Sequence, residues 1–178
     1  MRSFAKLEEL IEECDLYGPL AVADFGAGAG YFAIPIAKKL SENGTVYAFD
    51  IQEPPLEALR KRARDFGLHN IETLRADLER PQGTKLRAES VDFIVIANIL
   101  FQTQNKNAML AEAFRVLKKG GRILFVEWND GLLGTPGPRP QHRVTPQALK
   151  EYIASFHCII EKEFTLGEHH YGVIAKKQ

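Results

Sequence analysis

The residues with the clearest chemical potential stand in one short segment, Ala23-Asp24-Phe25-Gly26-Ala27-Gly28-Ala29-Gly30. Three alternating glycines carry no Cβ to hold a ligand off the main chain, and they accept the positive φ of a tight turn. The segment follows an apolar run and opens a helical one, which is where an open α/β sheet binds its ligand. A second acid, Asp50, closes the next apolar run. A carboxylate at that place can accept hydrogen bonds from both hydroxyls of a ribose. Glycines and acid together point to an adenosine-containing ligand. The plainer alternative is a tight turn with Asp50 capping the next helix, and it needs placement, spacing and acid to coincide by chance.

Such groups act only if rigid elements hold them. Leu20 to Phe25, Thr45 to Asp50, Ile71 to Ala76, Val91 to Ala97 and Arg122 to Glu127 are short apolar runs that read as strands buried on both faces. Helical segments lie between them: Phe32 to Ser41, Leu56 to Phe66, and Lys106 to Leu117. Repeated alternation of strand and helix predicts a parallel sheet covered on both faces. Pro35 fits only the first turn of its helix, so that helix begins near residue 31 or 32 and the glycines before it form a loop. Phe4, Leu7, Leu10, Ile11 and Cys14 recur at helical spacing and predict an amphipathic helix within residues 1–17. Beyond the fifth strand a Gly/Pro-rich loop, residues 128–144, leads to a helix signalled by Thr145 and Pro146. Two final runs, Cys158 to Phe164 and Tyr171 to Ala175, read as an antiparallel pair.

The glycines alone do not choose the cofactor, because Gly28-Ala29-Gly30-Tyr31-Phe32-Ala33 also satisfies a dinucleotide fingerprint. Against a nicotinamide enzyme stand Asp24 before the glycines, the lack of a second substrate domain, and the lack of a Tyr-x-x-x-Lys pair. Over about residues 18 to 178 the chain resembles the class I SAM-dependent methyltransferases. The resemblance is carried by ADFGAGAG, Asp50, Ala76-Asp77 and FRVLKKGGRILFVEW. It implies a Rossmann-like, doubly wound, mostly parallel seven-stranded sheet with an antiparallel C-terminal strand and helices on both faces, in a single domain spanning 1–178. It also implies S-adenosyl-L-methionine (SAM) as cofactor and S-adenosyl-L-homocysteine as product. Asp24, Gly26, Ala27, Gly28 and Gly30 would embrace the methionine end, Asp50 the ribose, and Ile51 the adenine face. Asp77 would accept from the adenine amino group, with the Leu78 N–H beside the ring, and Asn98 would stand near the sulfonium and acceptor. Helix capping explains Asp77 also, and a turn explains Asn98.

The acceptor has to be inferred from other segments. The stretch Ala97-Asn98-Ile99-Leu100 lacks the Asn/Asp-Pro-Pro-aromatic motif of amide and exocyclic-amine methylation, so adenine and glutamine drop down the list. Glu127 and Asp130 are the acids at hand for a metal, but Asn98 is a poor start and no metal is expected. The 128–144 loop leaves the carboxyl end of a strand and is the candidate lid. Its Arg139 and Arg143 could receive an anionic acceptor, and His142 is the nominee for a general base. GPRPQHRVTP resembles the corresponding loop of the quinone-biosynthesis-like branch. Trp128 could stack on a planar acceptor or cover the sheet end. His157, His169 and His170 read as surface residues. The short N-terminal segment suggests an open pocket, roofed by the loop, a second subunit of a homodimer, or a macromolecular substrate.

Composition bounds these readings. Lys plus Arg equals Asp plus Glu at 23 each, so no net field draws the chain toward nucleic acid or anionic lipid. Hydrophobic residues make up 45% and charged ones 26%, ordinary for a globular domain. Cys14 and Cys158 lack metal-site spacing. The N-terminus reads as neither a signal peptide nor a membrane span, so the cytoplasm is the expected compartment. The leading expectation is therefore methylation of a small molecule at oxygen or carbon. An RNA or protein methyltransferase stands second, and a silent SAM-binding module using the N-terminal apolar stripe as a contact surface stands third.

Overall fold

The computed structural model describes residues 2–18, 20–129 and 137–178, with side chains from Leu7 onward. The elements in order are α1 (Arg2–Glu12), β1 (Ala21–Phe25), α2 (Ala33–Lys39), β2 (Thr45–Asp50), α3 (Glu53–Asp65), β3 (Ile71–Arg75), β4 (Val91–Ala97), α4 (Lys106–Val116), β5 (Leu117–Trp128), α5 (Pro146–Ser155), β6 (Cys158–Leu166) and β7 (His170–Lys177). Among the described residues the strands form one seven-stranded sheet in the order β3-β2-β1-β4-β5-β7-β6. All neighbouring pairs up to β5 are parallel, and β7 runs antiparallel to both β5 and β6.

The central strands are apolar on both faces because both faces are covered. One face carries α1, α2 and α3 through Leu10, Ile11, Ala33, Ile36 and Leu59 against Val22, Val46 and Val95. The other carries α4 and α5 through Met109, Leu110, Leu149 and Ile153 against Phe25, Ile94, Ile96 and Phe125. β3 departs from the expectation of two buried faces, since an edge strand has one neighbour and its residues are only partly covered.

Two other boundaries move. Extended backbone resumes at Leu117 rather than Arg122: Val91 pairs with Leu117, then a bulge formed around Gly120 and Gly121 resets the register so that Phe93 pairs with Arg122. The second correction concerns α1. Leu7, Leu10, Ile11 and Cys14 are buried in the molecule's own core, so the stripe read as a partner surface is already covered. The side chain of Phe4 lies outside the described residues. Arg122 fastens the end of this segment by donating to the Cys14 carbonyl.

Candidate functional site

The strand order reverses direction at β1, with β2 on one side and β4 on the other, so a crevice opens between the carboxyl ends of β1 and β4. Asp24 sits at that point with 2% of its surface exposed. The Ala33 N–H donates to its carboxylate, while Oδ2 is buried with no partner. Burial pushes its pKa up to about 7, against the Ala33 hydrogen bond, and nearby Asp50 adds to the rise.

The glycine loop is tied down at both ends. The Gly26 and Ala27 N–H groups both donate to the Phe49 carbonyl at 2.8 Å. The Gly28 N–H donates to Asp50 Oδ2 at 3.0 Å, and the Gln52 N–H donates to Oδ1 at 2.9 Å. Asp50 therefore braces the loop against the start of α3, and each of its oxygens keeps an acceptor site. No atom lies within 4 Å of where a Gly28 Cβ would stand, so the space above that residue is open to a ligand. At Gly30 a Cβ would overlap the Leu59 side chain, so this glycine lets α3 pack against the loop.

Ile51 follows Asp50 with 57% of its surface exposed, an apolar side chain at the end of β2. Across the β2–β3 edge, Asp77 Oδ1 accepts from the Glu79 N–H at 3.1 Å and Oδ2 pairs with Arg80 at 3.0 Å. Asp77 therefore stabilises a turn, and Leu78 beside it is buried in the second core. Asn98 takes the left-handed conformation, φ 53°, that Asn tolerates better than most residues. Its N–H donates to the Val126 carbonyl at 2.8 Å, and its Oδ1 is buried without a partner.

Asn98 also borders a cavity of about 500 Å³ whose walls are mostly apolar. Leu7 and Leu10 of α1, Tyr31 and Phe32 after the glycine loop, and Trp128 at the end of β5 form much of it. The β6–β7 turn closes the remaining side with Glu168, His169 and His170. The lid-loop residues nominated from sequence stand elsewhere. Arg139 and His142 are exposed and are not on the cavity wall. Arg143 is buried, donating to the carbonyls of Pro138 at 2.9 Å and Asn129 at 2.7 Å, so it fastens the loop to the end of β5. Asp130 lies outside the described residues. Trp128 has Gly137 against one part of its indole and the His170 ring 4.1 Å away, centroid to centroid.

Glu127 alternates to the opposite face from Val126 and Trp128. It is fully buried, accepts from the Leu100 N–H at 2.9 Å, and is pushed up to about 7 by burial against hydrogen bonds from Leu100, Ile99 and Trp128. It thus anchors the chain just after Asn98. Among the described residues no three His, Cys, Asp or Glu side chains group closely enough to hold a metal ion.

Two features escaped the sequence reading. Leu7 and Leu10 are part of the cavity, and His169 and His170, read as surface residues, line it. The available signal for His170 was the antiparallel pairing of the last two runs, which continues onto β5 and sets His170 opposite Trp128.

This combination of a β1 glycine loop, an acid closing β2 and a reversed strand inserted beside β5 defines a Rossmann-like nucleoside-binding domain. The family model described as a methyltransferase domain matches residues 19–171, and the chain belongs to that family. It is 29% identical over 135 residues to the ubiquinone/menaquinone biosynthesis C-methyltransferase UbiE of Shewanella pealeana, covering 75% of this chain and 49% of that protein. It is 33% identical over 104 residues to the aklanonic acid methyltransferase DauC of Streptomyces sp. strain C5, covering 58% and 46%. The chain thus spans about half the length of these curated relatives. A SAM-dependent methyltransferase from Aquifex aeolicus superposes with a TM-score of 0.85 at 25% identity, over 95% of this chain and 88% of that one. Among the described residues no helix is long and apolar enough to cross a membrane.

Proposed function

We propose that this domain binds SAM and catalyses transfer of its methyl group to a small-molecule acceptor at oxygen or carbon, leaving S-adenosyl-L-homocysteine. The observation that carries this reading is the cradle at the β1–β4 crevice: open space above Gly28, Asp50 beneath it, and a buried Asp24 oxygen without a partner. These groups fit the proposed cofactor. Asp24 offers an anion to a ligand ammonium, Asp50 offers free acceptor sites to ribose hydroxyls, and Ile51 offers an apolar face to a flat base. Asp77 and Leu78 follow the carboxyl end of β3, where an adenine would extend, and Asn98 follows that of β4 and borders the cavity.

A bound sulfonium would supply an electrophilic methyl group. The protein's part is then to hold an acceptor in line and keep water away, and orientation of this kind supplies up to roughly 7–11 kcal/mol. The apolar cavity beside Asn98 is suited to that task. The relatives named above for quinone and aklanonic acid methylation favour a small molecule, and the zero net charge argues against nucleic acid. The proposal places a single domain in the cytoplasm. Leu7 and Leu10 of α1 supply part of the cavity wall from within the chain, and light scattering of the purified chain decides whether it forms a homodimer.

The test is calorimetric titration of the chain and its Asp50→Ala variant with SAM, S-adenosylhomocysteine and NADH. The expected result is micromolar binding of both SAM forms, weakened ten- to a hundredfold in the variant, as loss of charge-assisted hydrogen bonds predicts. Binding of NADH instead, or of none of the three, would overturn the reading.

A further inference from the structure

Resting on the reading of the cavity as the acceptor site, we propose that His170 is its polar recognition group, and that the acceptor is a flat aromatic whose hydroxyl pairs with His170 Nε2. His170 Nε2 is buried and has no partner, although it belongs to a side chain on the wall of an otherwise largely apolar cavity. A buried polar atom of this kind is stable when a ligand completes its hydrogen bond. The ring packs against the Trp128 indole with centroids 4.1 Å apart, and the His170 carbonyl accepts from Asn129 Nδ2 at 3.2 Å.

The surroundings keep the imidazole itself uncharged. Burial lowers the pKa of His170, and His169 and the Arg143 guanidinium lower it further, so the imidazole is neutral near pH 7. Glu168 is the acid on the same turn, and it is exposed. A neutral imidazole beside Leu166, Phe32, Tyr31 and Trp128 offers a hydrogen bond within largely apolar walls. A hydroxyl suits it in either tautomer, because a hydroxyl both donates and accepts.

Position supports a role near the reacting end. His170 pairs with Trp128, two residues along β5 from Val126, which accepts from the Asn98 N–H. Strand geometry puts those two steps at roughly 7 Å along β5 and each of the two strand spacings, β4 to β5 and β5 to β7, at about 5 Å, so the Asn98 and His170 backbones stand on the order of 12 Å apart. Both residues border the cavity that lies in that interval. His142, exposed beyond the cavity wall, has no such access.

Trp128 is the chain's one tryptophan, so its indole N–H gives a single reporter signal in an NMR spectrum. Titration with 4-cyanophenol and with 4-methoxybenzonitrile, its O-methyl counterpart, at pH 6.5 isolates the hydroxyl. The phenol is expected to bind about three- to tenfold more tightly, the worth of one hydrogen bond. That preference should vanish in His170→Phe, which keeps a ring against Trp128, and return in part in His170→Gln. Equal binding of both probes, no shift of the indole signal by either, or a preference that survives in His170→Phe would overturn the proposal. These titrations need no cofactor. Loss of SAM and S-adenosylhomocysteine binding in the calorimetry would therefore sink the methyltransferase reading separately.

Discussion

Asp24 and the glycines behind it were legible as a ligand site because their chemistry is local: residue type and spacing within one turn suffice. What the sequence could not give is their state. Burial holds the Asp24 carboxyl near neutrality at about 7, and a ligand ammonium beside it requires the ionised form. Cofactor binding must then expel a proton below pH 7. SAM affinity is expected to rise with pH by up to tenfold per unit between about 5 and 7 and to level off above. In Asp24→Asn that dependence should be flat, and calorimetry across the pH range checks both. The glycines separate in the same way. Gly28→Ala meets no neighbouring atom and should cost about 1–2 kcal/mol, the penalty for φ 53°, while obstructing the cofactor. Gly30→Ala must displace the Leu59 side chain and adopt φ 85°, so it should cost more stability, at least about 2–3 kcal/mol by urea unfolding. His170 lay outside such local logic. His142 drew the role of base from its loop, whereas His170 acquires its setting from Trp128, which a strand pairing distant in sequence sets opposite it.

At the scale of elements, alternating apolar runs and helical stripes predicted a parallel sheet covered on both faces, the family resemblance implied its doubly wound form, and the boundaries that moved did so for identifiable reasons. β5 begins early because its bulge separates Leu117, which the helical stripe claimed, from Arg122 by Lys118, Lys119 and two glycines that carry no apolar pattern. α1 was recognisable as amphipathic, yet an apolar stripe does not say what will cover it; the sheet covers it, and two of its leucines become cavity wall. Because Leu10 serves both purposes, Leu10→Ala should lose about 2–4 kcal/mol in urea unfolding and also loosen 4-cyanophenol binding measured at Trp128. A change confined to stability would mean that α1 packs on the core without shaping the cavity. On the opposite face, Glu112 serves as a clamp. Burial alone would raise its pKa, but hydrogen bonds from Arg115 and Thr84 hold it below the usual value, and it binds the 82–84 turn that follows Asp77. The outer wall of the proposed adenine groove is thus fixed from α4.

For the whole molecule these carboxylates determine how stability follows pH. Asp24 and Glu127 are both buried at strand ends beside the crevice, each with an oxygen lacking a partner, and both are raised to about 7. A group whose pKa is higher folded than unfolded favours folding while protonated, so its contribution is complete below the unfolded value near 4 and is lost as pH climbs toward 7. Glu112 has the opposite sign, but its contribution is lost only in acid, as pH falls below the ordinary carboxylate value. His170 is lowered, so it opposes the trend modestly below its ordinary value of 6.5. The sum predicts an unliganded protein that is less stable at pH 8 than at pH 5 by a margin on the order of a few kcal/mol. Urea unfolding at the two values measures it, and Asp24→Asn with Glu127→Gln should remove most of the difference while keeping the shapes of both side chains. SAM has the reverse dependence through Asp24, stabilising the fold by RT ln(1 + [L]/Kd) most strongly at the higher pH. At saturating SAM the gap between pH 5 and pH 8 should therefore narrow in the parent chain and stay unchanged in the double variant. A gap that SAM leaves untouched in the parent would place the ligand's positive charge away from Asp24.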